Sequence, residues 1–144
     1  MGEVHDGNAW ALGGVAGHSG LFGTATAVGA FARDVLRTYG GTNSLSKLAT
    51  FKTFTSRTLV AGTSRALGWD TMVQTSSCGK RMSATSIGHT GFTGTSLWID
   101  PCAEIYVLLL TNRVYPSRLN DAILEVRPAL HDAVMAEFEI DEDS

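Results

Sequence analysis

The stretch SIGHTGFTGTSLWIDPCAEIYVLLLT, residues 86–111, decides the fold because apolar segments alternate in it with turn residues. Asp100-Pro101-Cys102-Ala103 is typical of a hairpin turn, since proline presets a backbone dihedral that such a turn requires. The unbroken apolar run at 105–110 predicts a central strand that is covered on both faces. β-Branched and aromatic side chains predict three antiparallel strands, at residues 86–92, 95–99 and 105–111.

The clearest helical pattern lies upstream, where apolar residues recur at helical spacing from Ala25 to Tyr39. Thr24 is a suitable N-cap and Gly40-Gly41 a suitable stop, so we expect a helix between them. Residues 1–23, by contrast, are rich in glycine and alanine and have neither a helical nor a strand period. They predict a tight, mostly buried loop in which the backbone passes close to other backbone.

Two shorter elements are predicted between this helix and the sheet. A second helix, capped by Asn43 or Ser44, is expected to end near Phe54. Its buried side chains are expected to be Leu45, Leu48 and Phe51. Residues 67–73 predict a short strand.

The C-terminal region, residues 120–138, has a helical pattern that Pro128 interrupts. Because a proline inside a helix costs about 3 kcal/mol, we expect Pro128 at the first position of a new helix. The buried face of that helix is predicted to comprise Leu130, Val134 and Phe138. Residues 139–144 are predicted to form a disordered acidic tail.

Together these elements predict the α+β class: a partial αβα sandwich in which an antiparallel sheet packs on a C-terminal helix. The helices expected at 24–39 and 44–54 are available to cover the second face of the sheet. A chain of 144 residues is long enough for one domain, which we expect to span residues 1–138.

The composition excludes several classes of protein. The chain is 44% hydrophobic and 17% charged, which does not fit a disordered protein. Its net charge is −3 and it has no basic stripe, so nucleic acid is not an expected partner. No segment is long and apolar enough to span a membrane, and no signal-peptide pattern begins the sequence. The compartment therefore stays unassigned, with the cytoplasm as the default expectation.

Cysteine and histidine residues predict neither a metal site nor a cofactor. Cys78 and Cys102 form no CxxC pair, and their spacing leaves open whether they are two free thiols or a disulfide. The histidines, at positions 5, 18, 89 and 131, have no partner at metal-ligand spacing. His5 and His18 are expected to make structural hydrogen bonds.

Two short motifs resemble hydrolase nucleophiles, but their context argues against that role. Ser19 lies in G-x-S-x-L rather than G-x-S-x-G, and a glycine-rich loop precedes it where a nucleophile elbow needs a strand. Residues 44–47 match S-x-x-K, in which a lysine activates the serine. They follow Gly-Gly-Thr-Asn, so we expect an exposed helix start with Ser44 as its N-cap.

The segment GHTGFTGT, residues 88–95, carries the strongest chemical signal. Glycines interrupt what is predicted to be a strand, and a glycine within a strand marks either the close approach of a ligand or a β-bulge. Backbone N–H groups left unpaired there would face an incoming carbonyl oxygen, with His89 beside them. From the residues alone, a binding site and a bulge without a ligand remain two open alternatives.

Three stretches of this chain resemble the C-terminal part of the β-lactamase-related serine hydrolases, the superfamily of serine β-lactamases, DD-peptidases and related esterases. They are VHDGNA with LGGVAGHSGLF in residues 4–22, LGWD at 67–70, and GHTGFTGT at 88–95 continuing through WIDP to LTNR at 110–113. The resemblance covers nearly the whole chain but only the C-terminal part of a full-length member. It implies that the chain is a piece of an αβα sandwich.

The resemblance also implies a catalytic role for His89-Thr90-Gly91, which matches the third catalytic motif of the superfamily, Lys/His-Thr/Ser-Gly. Phe92, the residue after that glycine, would supply one backbone N–H of the oxyanion hole. Thr90 would hydrogen-bond the carboxylate or the acyl side of the substrate. His89 would act beside the proton network of the nucleophile, as a donor or an electrostatic aid.

Two other motifs of the superfamily are expected upstream of this sequence and do not occur in it at the expected places: the nucleophile S-x-x-K, and Tyr-x-Asn or Ser-x-Asn. We therefore expect the C-terminal segment of a serine hydrolase that acts on a small-molecule ester, amide or β-lactam once its site is completed. The alternative is a catalytically inactive binding or interaction module that reuses this half-domain. The isolated chain is expected to be inactive and to self-associate through an exposed apolar surface.

Overall fold

A four-stranded antiparallel sheet forms the centre of the protein. The computed structural model describes residues 2–42, 44–57 and 62–140. In space the strands follow chain order: β1 (Asp70–Thr71), β2 (Ile87–Thr90), β3 (Ser96–Asp100) and β4 (Ile105–Leu109). The described helices are α1 (Gly7–Ala11), α2 (Ala25–Tyr39), α3 (Leu48–Thr55) and α4 (Ile123–Ile140). The three strands predicted from residues 86–111 are therefore confirmed, with shifted ends.

Helices cover both faces of this sheet. Side chains alternate between the faces along each strand, so neighbours in sequence enter different layers. On one face, α2 and α3 pack on the strands and bury Ala32, Val35, Phe51, Ile87 and Ile99. On the other face, a cluster that includes one side chain of α4 comprises Cys78, Met82, Trp98, Val107 and Met135. The α+β class and the layered αβα arrangement are confirmed.

β4 lies at the edge of the described sheet, where the sequence predicted a central strand. Among the described residues its strand neighbour is β3, with Trp98 opposite Val107. The apolar run arises because α2 contacts β4 on one face and α4 contacts it on the other, which requires no second neighbouring strand. Such a run therefore indicates that both faces of the strand are covered. It does not indicate where the strand lies in the sheet.

α2 begins and ends where the sequence predicted. The Thr24 hydroxyl accepts a hydrogen bond from the Ala27 amide at 3.2 Å, and Gly40 follows the last helical residue. Gly29 lets the helix approach the sheet closely, because a Cβ atom there would lie 2.7 Å from the hydroxyl oxygen of Tyr106 on β4. Helix start, stop and packing face thus follow from the local sequence.

α3 begins later than predicted, at Leu48. Ser44 is not its N-cap, because the Ser44 hydroxyl instead donates a hydrogen bond to an Asp34 carboxylate oxygen on α2 at 2.9 Å. Leu45 is exposed, whereas Phe51 is buried as predicted. The alternative cap, Asn43, lies outside the described residues.

The strand predicted at residues 67–73 is reduced to the two residues of β1. Before it, the chain turns at Gly68, which has a φ of +82°, and the Ala66 amide donates a hydrogen bond to the Trp69 carbonyl at 2.9 Å. This local turn uses backbone groups that a longer strand would direct toward β2. As a result, β2 has a strand neighbour on this side only as far as Gly88.

α4 is one continuous helix across Pro128, which the sequence placed at the start of a new helix. Its buried side chains recur every fourth residue: Ile123, Arg127, His131 and Met135. This buried row holds the helix together across the hydrogen bond that Pro128 cannot donate. The predicted buried face was wrong, since Phe138 is exposed and Leu130 and Val134 are only partly buried. Residues 139–140 continue the helix, and the rest of the predicted tail, 141–144, lies outside the described residues.

The N-terminal segment is more exposed than the sequence predicted. It contains α1, which the Asp6 carboxylate caps by accepting a hydrogen bond from the Ala9 amide at 2.8 Å. Of residues 2–23, Ala9 alone is buried, while Leu21 is 94% exposed. The prediction of a mostly buried loop is therefore wrong, because the glycines here serve turns on the surface, with positive φ at Gly13 and Gly14.

Asp100 organises the turn between β3 and β4. Its buried carboxylate accepts hydrogen bonds from the Ser83 amide and hydroxyl, both at 2.6 Å, and from the Cys102 and Ala103 amides at 3.0 and 3.3 Å. Burial alone would raise the pKa of this carboxyl, but these donors outweigh burial and hold the pKa below its usual range. The turn predicted at 100–103 is confirmed.

Replacing Asp100 by asparagine is expected to lower the free energy of unfolding by about 2 kcal/mol at pH 7, because an amide cannot accept all four hydrogen bonds. Since folding depresses the pKa of Asp100, its stabilisation is present above the unfolded pKa of about 3.9 and is lost as the pH falls through the folded pKa. Urea titrations at pH 7 and pH 3 measure both effects. Asp121→Asn, at a side chain that is 78% exposed, is the control and should change stability by less than about 0.5 kcal/mol.

His131 is fully buried between α4 and the sheet. Its Nε2 atom lies 3.4 Å from the Ser96 hydroxyl, and Nδ1 has no hydrogen-bond partner among the described residues. Burial lowers the pKa of His131 to about 4; Asp132 opposes this shift and Arg127 adds to it. His131 is therefore a neutral core residue.

The pKa of His131 predicts that stability depends on pH below neutrality. Because its pKa is about 4 in the folded state and about 6.5 in the unfolded state, the stabilisation is complete above pH 6.5 and falls between pH 6.5 and 4. The loss is expected to be at most about 3 kcal/mol, measured by urea unfolding across this range. His131→Asn should flatten the profile, while His5→Gln should keep it; equal slopes in the wild type and His131→Asn would contradict the assignment.

Candidate functional site

The candidate site is the β2–β3 hairpin turn, residues 91–95. The Gly91 amide donates to the Thr95 carbonyl at 2.8 Å, and the Gly94 amide donates to the Gly91 carbonyl at 3.1 Å. Gly94 has a φ of +117°, and a Cβ atom there would lie 2.9 Å from the backbone nitrogen of Arg113. The glycines of this segment therefore make a tight turn, and the bulge alternative is not needed to explain them.

The Phe92 amide is an available N–H of this turn, as are the amides of Thr93 and Thr95. It donates to no acceptor among the described residues, and the Phe92 side chain is 56% exposed. The Gly91 amide, in contrast, is used by Thr95. An incoming carbonyl oxygen would therefore find an unpaired donor here at Phe92, the residue that follows Gly91.

Two arginines from different parts of the chain bind the carbonyls of this turn, and the sequence assigned a role to neither. On α4, the buried Arg127 donates from Nη2 to the Gly91 carbonyl at 2.7 Å and to the Thr95 carbonyl at 2.8 Å. After β4, Arg113 donates from Nε to the Phe92 carbonyl at 2.7 Å and from its amide to the Thr93 carbonyl at 2.8 Å. With three consecutive carbonyls bound, the peptide that carries the Phe92 N–H is fixed in direction.

The sequence contained a weak signal for Arg127. It falls in the same i,i+4 row as Ile123, His131 and Met135, which is the buried row of α4. Sequence reasoning favours apolar residues for a buried face, so a charged residue in the row was overlooked.

The N-terminal segment contacts the turn through the Phe92 ring. The ring stacks with that of His5 at a centroid distance of 5.6 Å, and the Arg113 guanidinium lies 4.3 Å from its centroid. One residue after His5, the Asp6 carboxylate lies 3.0 Å from His18 Nε2. The Ala9 amide first and His18 second hold the pKa of Asp6 below its usual range. The expected hydrogen bond is found at His18, whereas His5 contributes a ring contact.

His89 and Thr90 lie at the end of β2, where no strand of the described chain pairs with the outer edge. They point to opposite faces of the sheet. The exposed His89 ring contacts Arg65 Nη1 through Nε2 at 2.6 Å and the Thr90 carbonyl through Nδ1 at 2.9 Å. The Thr90 hydroxyl has no hydrogen-bond partner among the described residues. The motif residues are thus together at an open edge beside the Phe92 amide.

None of the serines singled out by motif is paired with a base. The Ser44 hydroxyl donates to Asp34, and Ser44 makes no hydrogen bond to Lys47. Ser19 takes part in a backbone bridge with Ala16. A serine–histidine contact does exist between Ser96 and His131, but both residues are buried. The described part of the chain therefore has no accessible serine activated by a neighbouring lysine or histidine.

Other chemistry-bearing groups are few. Both cysteines are free thiols, Cys78 buried and Cys102 exposed, and burial raises the pKa of Cys78 to about 12. Within residues 2–42, 44–57 and 62–140, no cluster of three potential metal ligands occurs. In the same residues, no helix combines the length and apolar character needed to span a membrane.

Comparisons with known proteins relate this chain to one family. The family model described as beta-lactamase matches residues 1–130. An Escherichia coli K12 protein named “Putative D-alanyl-D-alanine carboxypeptidase” is 34% identical over 117 residues, which are 78% of this chain and 27% of that protein. A protein of the same name from Salmonella gallinarum is 33% identical over 133 residues, 85% of this chain and 29% of that protein.

A solved structure shows the same fold. A β-lactamase from Mycobacterium bovis superposes with a TM-score of 0.66 at 25% identity, over 83% of this chain and 46% of that one. The chain thus spans less than a third of the length of these curated relatives and about half of the solved structure. With a family match over residues 1–130 and a shared fold, the chain belongs to the β-lactamase family.

Proposed function

We propose that this chain is the C-terminal segment of a serine hydrolase that carries the oxyanion side of the active site. In the reaction, the acyl group of a small-molecule ester, amide or β-lactam is transferred to a serine, and water then hydrolyses the acyl-enzyme. The S-x-x-K nucleophile is supplied by a part of the domain outside this sequence. By itself the chain has no measurable turnover, because an oxyanion donor without an attacking group gives only residual catalysis.

The observation that carries this proposal is the unpaired, fixed amide of Phe92 at the open edge of β2. Three carbonyls around it are bound by Arg113 and Arg127, so the N–H keeps one direction. Preorganised donors of this kind stabilise the oxyanion of a tetrahedral intermediate without reorganising during the reaction.

In this proposal Thr90 binds the polar end of the substrate and His89 provides polar surroundings for the reacting group. The free Thr90 hydroxyl supports the first assignment. The apolar side chains exposed on the N-terminal segment, such as Trp10, Leu21 and Phe22, support the idea that further protein covers this face. The chain alone would then self-associate through the same side chains.

A chimera tests the proposal. The chain replaces the matched C-terminal segment of the Escherichia coli relative, and hydrolysis of a chromogenic ester and a chromogenic cephalosporin is measured. Phe92→Pro removes the N–H, and proline suits the second position of the turn closed by the Gly94 amide and the Gly91 carbonyl. We expect kcat to fall by about 10²–10³-fold.

Phe92→Ala is the matched control, since it removes the ring but keeps the N–H. It should retain kcat within about tenfold, and equal losses in both variants would reject the amide as the oxyanion donor. The isolated chain should react with no serine-directed probe. A folded but inert chimera would favour the alternative of an interaction module, and a labelled serine in the isolated chain would show that the nucleophile lies within it.

A further inference from the structure

Both nitrogens of the His89 ring are occupied in this structure. Nδ1 lies 2.9 Å from the Thr90 carbonyl oxygen, and Nε2 lies 2.6 Å from Nη1 of Arg65. A carbonyl oxygen can only accept a hydrogen bond, and a guanidinium group can only donate one. The proton of the neutral ring must therefore be on Nδ1, with the lone pair of Nε2 directed at Arg65.

This assignment matters because a histidine in this motif would be expected to offer a donor to its neighbours. In the arrangement seen here Nε2 carries no proton and its lone pair is already used. The ring can then neither donate to a nucleophile nor accept its proton unless Arg65 moves away. The cationic group in contact with His89 at this edge of the sheet is the guanidinium of Arg65.

We infer that Arg65 is a positioning residue, which holds His89 in its Nδ1–H tautomer and replaces it as the positive group at the edge of β2. The role in acyl transfer rests on the proposed function; the control of the tautomer does not. The same inference excludes His89 as a general base while Arg65 is in place, and it leaves His89 as a polar group that links Arg65 with the strand.

The backbone places Arg65 for this role. Arg65 forms an isolated bridge with Asp70, the first residue of β1, and its amide donates to the Thr63 hydroxyl at 3.1 Å. The Thr71 amide donates to the Ser64 carbonyl at 2.9 Å. Because β1 pairs with β2, these bonds hold the segment around Arg65 beside the strand that carries His89.

Nitrogen NMR of the full chain tests the inference directly. Two-bond ¹H–¹⁵N spectra of the histidine rings at pH 8 distinguish a protonated from an unprotonated nitrogen, and His89→Gln assigns the signals. In the wild type we expect Nδ1 protonated and Nε2 unprotonated. Arg65→Met should shift the ring toward the Nε2–H form, because Nε2 no longer accepts a hydrogen bond and becomes free to carry the proton.

Arg65→Lys and Arg37→Met are the matched variants. Lysine also only donates, so it should restore the Nδ1–H signature at least in part. Arg37 is exposed on α2 and pairs with Asp34 at 3.0 Å, so its replacement should leave the His89 signals unchanged. A wild-type ring protonated on Nε2 would overturn the inference without any variant, and so would identical His89 spectra in the wild type and Arg65→Met.

The outcome is separable from that of the proposed function. In the active chimera, Arg65→Met should lower kcat/KM and Arg65→Lys should recover part of the loss. If the chimera is inert while the spectra are as expected, the proposed function fails and the positioning of His89 by Arg65 stands. If the chimera is active while the spectra contradict the Nδ1–H form, the reverse holds.

Discussion

The contact between the Trp98 ring and the backbone at Gly88 is the constraint on which the rest of the structure depends. Gly88 is directly opposite Trp98 in the β2–β3 ladder, and any Cβ atom at position 88 would collide with the ring. Trp98 is fully buried, and its indole N–H donates to the Ser77 hydroxyl at 2.9 Å. A slip of one residue would push the ring against a side chain and would move His89 to the other face of the sheet. The contact thus fixes the register, and the register decides where the turn of the candidate site closes.

From that register the site is assembled from distant parts of the chain. The hairpin supplies the amide, α4 and the segment after β4 supply the arginines that direct it, and the N-terminal segment reaches it through the His5 ring. A buried guanidinium is costly to desolvate unless its donors are used; in Arg127 the Nη2 group is used twice, while the buried Nε has no partner among the described residues. Its position in the core is therefore best explained by the two carbonyls that it holds.

The sequence predicted the helices, strands and turns better than it predicted the burial and the long-range contacts of their side chains. The caps of α2, the three hairpin strands and the Asp100 turn follow from local chemistry, so a single sequence was sufficient for them. The roles predicted for His89 and for the Phe92 amide come from the resemblance to a family, since the glycines alone left a bulge without a ligand as an open alternative. In contrast, the edge position of β4, the helix across Pro128 and the buried His131 depend on contacts with residues far away in sequence. Arg65 was missed for the same reason, because nothing in its local sequence indicates that it meets a histidine 24 residues later.

The hold of Arg127 on the Gly91 and Thr95 carbonyls has a consequence for biosynthesis. All residues of the β2–β3 hairpin are translated before those of α4. On the ribosome the strands can therefore pair while the turn still lacks its hydrogen bonds to Arg127. Until α4 docks on the sheet, Arg113 is the one of the two arginines that can bind the turn. A nascent chain that ended before Arg127 would keep the strands of the sheet but would have lost an anchor of the candidate site.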